Sequence, residues 1–173
     1  MAIKFCPLLA ALALCAQVLS ISAHAMEPKF QDYKVDSVFA GPNHALDVPD
    51  QGEDNWKTYR TNAIKRKVNF AGHYIIFTGS CGGGAICGEI LDAKTGKLVS
   101  GYPNAYELES ADGSSYGAVF HPDSRLLVIS GMAADPEKDQ NGKVLSRKNR
   151  IRYFELKDQK LLLINVADDL PTR

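Results

Sequence analysis

Charge of one sign is missing from this chain. Its 20 lysines and arginines are matched by 20 aspartates and glutamates, for a formal net charge of zero and a pI near 6.9. A nucleic-acid module needs a basic excess on one face to neutralise phosphates, so that class of partner is excluded. Sulfur and indole are scarce, with four cysteines, three methionines and one tryptophan. Such a chain has no dense disulfide framework, and its stability must come from an ordinary apolar core. Long hydrophobic runs are missing too. The longest, Phe5 to Leu19, is about 15 residues, short of the roughly 20 that a spanning helix requires.

The signatures of several chemistries are also lacking. No G-x-G-x-x-G register fits Gly82 to Gly88, and no Gly-Lys is followed by Ser or Thr, so phosphate-cradling loops are absent. Lys94-Thr95-Gly96 matches one element of penicillin-recognising serine enzymes, but no Ser-x-x-Lys follows residue 25 to supply the nucleophile. It reads better as a hairpin turn. His44, His73 and His121 have no zinc spacing. Glu137 to Gly142 imitates the start of a calcium loop, yet its twelfth position falls on Lys148, where a bidentate glutamate is needed. It reads as a solvated loop. No metal and no cofactor are expected.

What is present begins with a leader. Residues 1–25 combine Lys4, the apolar run and the small-x-small ending Ala23-His24-Ala25, which are the three parts of a secretory signal peptide. Cys15 lies inside the run after the bulky Leu14, which does not suit lipidation. Cleavage after Ala25 removes Cys6, Cys15 and one positive charge, and leaves 26–173 as a single domain of formal charge −1. The expected location is periplasmic or secreted, with no membrane insertion after cleavage. Only Cys81 and Cys87 then remain, and an oxidising compartment favours joining them. Closing so short a loop contributes about 2.4 kcal/mol on the chain-entropy estimate. The competing reading makes Cys81 a nucleophile with His73 as its base, but nothing near in sequence provides the cationic setting that a thiolate needs.

Periodicity gives one helix and many strands. Acids at Asp50, Glu53 and Asp54 suit a helix start, and Trp56, Tyr59, Ala63 and Ile64 share one helical face. Lys65-Arg66-Lys67 would close the helix where cations are favourable. A short strand is expected at Val35–Phe39. Further strands are expected at His73–Thr78, Ala85–Leu91, Lys97–Ser100, Tyr106–Glu109, Tyr116–Phe120, Leu126–Ser130, Ile151–Leu156 and Leu161–Val166. Ala133–Arg147 is long and polar, and reads as an exposed loop or hairpin tip. Ile75-Ile76-Phe77-Thr78-Gly79 is echoed by Leu127-Val128-Ile129-Ser130-Gly131, and Asp92–Val99 by Glu155–Leu162. Two blade-like repeats, or hairpins that merely share turn chemistry, both account for this. Either way the fold class is mainly β, an antiparallel meander of about 8 strands with one packed α-helix.

Three motifs stand together: Asn69-Phe70-Ala71-Gly72-His73-Tyr74, the Gly-rich loop from Cys81 to Cys87, and Asp92-Ala93-Lys94-Thr95-Gly96-Lys97. This core resembles that of a family of small exported bacterial proteins, mostly of unassigned function. The likeness spans about residues 64–100, with a weaker echo at 116–132, and this chain carries an extended Gly82–Ile86 insert between the cysteines. The resemblance implies an exported β-rich domain and assigns no reaction or catalytic residue.

Function is read from loops. Gly82, Gly83 and Gly84, together with Asp112, Gly113, Ser114 and Ser115, form two small polar loops between strands, where recognition is often carried. The leading expectation is a non-enzymatic domain that binds another envelope protein, as an inhibitor or an immunity protein against an envelope-directed toxin does. One alternative is a small hydrolase or redox enzyme using Cys81 and His73. A carboxylate pair drawn from Glu89, Asp92, Glu107 and Glu109 is a further enzymatic option. Another alternative is a binder of glycan or a small envelope ligand through Tyr102, Tyr106 and Tyr116. No pattern in the chain addresses its oligomeric state.

Overall fold

The computed structural model describes residues 27–48 and 54–168. Residues 1–25, expected to be a signal peptide, and the acidic residues at 50–53 that were expected to start the helix lie outside them. Helix α1 covers Asp54–Ala63, and a single 3-10 turn covers Phe30–Tyr33. Eight strands follow: β1 Tyr74–Ser80, β2 Ala85–Asp92, β3 Leu98–Gly101, β4 Tyr106–Glu107, β5 Gly117–Phe120, β6 Leu126–Gly131, β7 Arg150–Lys157 and β8 Lys160–Asp168. They form two four-stranded antiparallel sheets. In the first, β1 pairs β2, and both β3 and β4 pair with the other edge of β2. The second is the plain meander β5-β6-β7-β8.

The internal repeat is structural. Ile75 pairs with Leu91 in the first sheet, and the equivalent Leu127 pairs with Phe154 in the second. The register shifts at Ile90/Leu91 against β3 and at the matching Tyr153/Phe154 against β8. The packing follows the same correspondence. One apolar cluster between the sheets contains Leu127, Ile129, Phe154 and Leu156, while their equivalents Ile75, Phe77, Leu91 and Ala93 form the cluster beneath α1. Ile76 and Ile90, on the opposite face of the first sheet, join the cluster between the sheets. The sheets therefore stack back to front, and α1 covers the free back of the first. Burial on both faces explains why Ile75-Ile76-Phe77 reads as a continuous apolar run rather than an alternating one.

Two expectations need correction. Val35–Phe39 is not a strand. It is part of a strap whose backbone bonds to turns: Val35 N–H donates to Asp123 O, Phe39 to Gly72 O, His44 to Ala93 O and Asp47 to Gly96 O. Its donors are spent on both repeats, which leaves no ladder to form. The helix ends at Ala63, before Lys65-Arg66-Lys67, and Asn43 from the strap donates to Ile64 O and Arg66 O at 2.6 and 2.7 Å.

The strap sets a steric limit at Gly96. Its φ is +72°, and a Cβ there would lie 1.9 Å from the Ala45 carbonyl oxygen. Gly83, at φ +59°, would place a Cβ in open space. In urea unfolding, Gly96→Ala is expected to cost about 3 kcal/mol or more, and Gly83→Ala only about 1 kcal/mol from its left-handed backbone.

Candidate functional site

The two loops singled out in the sequence meet on one edge. Cys81 and Cys87 form a disulfide with Cα atoms 5.7 Å apart. Between them Gly82, Gly83 and Gly84 all adopt positive φ, and a Cβ on any of them would meet nothing within 4 Å. The glycines are thus needed for backbone conformation and not for close approach. Gly84 O accepts from Leu108 N–H, and Leu108 O accepts from Tyr116 N–H. Leu108 therefore links the glycine loop to the loop running from Glu109 to Ser115, with its own side chain 56% exposed. Asp112 closes that second loop by accepting from the N–H and hydroxyl of Ser114 at 2.9 and 2.6 Å. These bonds from Ser114 hold the Asp112 carboxyl below the usual carboxylate range.

A buried charge anchors the same edge from below. Arg152 points into the space between the sheets with no exposed surface. Its Nε donates to Glu137 Oε1, and its terminal nitrogens donate to Glu137 Oε2 at 2.8 Å and to the carbonyls of Gly131 and Arg150. Arg150 adds a bond to Glu137 at 3.3 Å. The Arg152 guanidinium also lies 5.2 Å from the centre of the Tyr106 ring on β4. Ala133–Arg147 is therefore not simply a solvated loop, since its Glu137 is buried to satisfy Arg152. Asp139, the third position of the supposed calcium loop, accepts from the N–H groups of Asn141 and Lys143 and so closes a hairpin turn. No cluster of three metal-binding side chains occurs among the described residues.

Cys81 and His73 are not brought together. They flank opposite ends of β1, separated by about 25 Å of extended chain. His73 instead has its Nδ1 2.9 Å from Asp92 Oδ1, and its ring rests 4.0 Å from that of Tyr74. Asp92 also accepts from Lys94 N–H, so one carboxylate both orients the histidine and closes the hairpin turn. His44 bonds its neighbour's carbonyl, and His121 packs edge-on against Phe30. The four carboxylates do not converge: Glu89 pairs with Arg60, Asp92 with His73 and Glu107 with Arg147, while Glu109 is exposed.

The tyrosines are turned inward. Tyr106 is fully buried, Tyr102 and Tyr116 pack beside it, and the Tyr116 hydroxyl donates to that of Tyr102 at 3.3 Å. Burial pushes all three phenols up. They fill core and offer no open face on which a sugar ring stacks. One pattern that sequence reading passed over is Gly113-Ser114-Ser115-Tyr116-Gly117, which spells Gly-x-Ser-x-Gly. Its serine leads from a loop into β5 with no helix after it, so the strained strand-to-helix elbow is absent. Leu108 was also passed over, and only its exposure within an apolar-polar strand end marks it. No helix among the described residues is long and apolar enough to cross a membrane.

No protein-family model, curated protein or solved structure matches this chain.

Replacing Glu137 by glutamine leaves Arg152 charged and buried without its counter-ion. The expected loss is about 3 kcal/mol, read as a lower urea midpoint. For Asp112, whose folded pKa is depressed, the Ser114 contacts hold at neutral pH and are lost as pH falls through that depressed value. An NMR titration is expected to show the Asp112 carboxyl resonance moving later in acidification than in Ser114→Ala.

Proposed function

We propose that this is an exported, non-enzymatic domain that binds another envelope protein through the edge formed by the glycine loop, Leu108 and the loop ending at Ser115. Leu108 carries the reading. An exposed leucine fixed by two backbone bonds, between two loops locked by a disulfide and by an Asx-type turn, is a preorganised apolar anchor with polar flanks. Preorganisation lowers the entropy lost on binding, which is what a domain that plugs a partner's cleft requires.

Other observations support it. The oxidised Cys81 and the distant His73 leave the thiol reading without its nucleophile and base, and the buried tyrosines weaken the glycan reading. The leader-like residues 1–25 and the resemblance of 64–100 to small exported bacterial proteins favour the periplasm. An inhibitor or immunity protein against an envelope-directed toxin is the specific form that best suits rigid, projecting loops.

Affinity capture from envelope extract with the residue 26–173 domain is expected to retain one protein in stoichiometric amount. Leu108→Asp should weaken that retention by about tenfold or more, with an unchanged circular dichroism spectrum, as for a central interface anchor. Retention that is indifferent to Leu108→Asp, or no retained protein under several growth conditions, overturns the proposal.

A further inference from the structure

A second site lies on the opposite side of the first sheet, independent of the loop edge. The strap and the segment after α1 enclose a cleft of about 890 Å³, within the range of small-molecule sites. Its apolar wall is built from Val38, Phe39, Ile64 and Val68, and Val38 is 43% exposed. Lys65, Arg66 and Lys67 line the same space, and among the described residues no carboxylate does. Three other clefts each include carboxylates: Asp135 and Glu137 in one, Asp36, Glu155 and Asp158 in another, Glu137 and Asp139 in a third. In a protein of zero net charge, a cleft with three cations and no anion is a local separation of charge.

Two features make this more than a helix end with favourable cations. The end of a helix presents carbonyl groups, which repel an anion. Here the amide of Asn43 takes up two carbonyls of the turn just past the helix, those of Ile64 and Arg66, which lowers that repulsion beside the cleft. A dipole argument also accounts for the cations alone. It leaves unexplained the exposed Val38 and the half-buried Phe39 and Val68 set against them.

We infer that this cleft binds a single-chain amphiphile whose head is a carboxylate or a phosphate. The chain lies along Val38, Phe39 and Val68, and the head is held by the basic triplet through charge-assisted hydrogen bonds. Trp56, the only tryptophan, packs in the apolar cluster that also holds Phe39 and Ile64 of the cleft wall, so its emission senses occupancy through them.

The experiment titrates Trp56 fluorescence of the residue 26–173 domain with dodecanoate and with dodecyl phosphate, each below its micelle threshold. Dodecyl maltoside, inorganic phosphate and an acidic peptide are run in parallel. Saturable binding by either anionic amphiphile is expected, and the stronger of the two identifies the head group. The variant in which Lys65, Arg66 and Lys67 are all glutamine should bind about tenfold more weakly or worse. Val38→Asp, at an exposed position, should do the same without touching the triplet. The inference is overturned if neither amphiphile saturates, or if the neutral maltoside or inorganic phosphate binds as well. It is equally overturned if only the acidic peptide binds, or if both variants bind like the parent.

Discussion

A guanidinium with no exposed surface sits where the two sheets meet, and much of the molecule is arranged to make that tolerable. Arg152 occupies an inward position of β7, directly opposite Ile129 of β6. An unpaired charge there would be prohibitive, so the chain brings Glu137 back into the interior to meet it in bidentate geometry. Its Nη1 donates to the backbone carbonyls of Gly131 and Arg150. The long connection between β6 and β7 is thereby tied down at its middle. Because Arg152 also faces the ring of Tyr106, the same group links the second sheet to β4 of the first.

The back-to-front stacking explains the asymmetry of the fold. The back of the second sheet packs on the front of the first, where Ile76 and Ile90 meet Leu127 and Phe154. Among the described residues no earlier sheet receives the back of the first repeat, and α1 takes that place over Ile75, Phe77 and Leu91. The strap then closes the join by bonding to turns of both repeats, from Asp123 to Gly96. The cleft beside Lys65-Arg66-Lys67 exists only because helix and strap stand where a sheet would otherwise lie. Projecting loops at one edge and a cationic cleft behind the first sheet are thus two results of one arrangement.

Much of this was legible in the order of residues. The β-rich class, the helical face of Trp56, Tyr59, Ala63 and Ile64, and the turn at Asp92–Gly96 depend on contacts within a few positions, so local patterning reveals them. The disulfide belongs with these, since Cys81 and Cys87 are close enough for three glycines to bring them together. Val35–Phe39 misled because a short stretch rich in β-formers does not say where its hydrogen bonds go, and tertiary contact with turns won over sheet pairing. Glu137 misled because a carboxylate in a polar stretch gives no sign that its partner lies 15 residues on in a buried strand.

By itself, the sequence determined periodicity, turn chemistry and the similarity of the two halves, because each is written in short stretches of chain. Only tertiary structure decided that Gly84 and Tyr116 meet at Leu108, that Asp92 and not Cys81 is the partner of His73, and that Tyr102, Tyr106 and Tyr116 face inward. Those outcomes follow from how two sheets stack and which buried charge must be satisfied. Both are properties of residues far apart in the chain, and no local pattern encodes them.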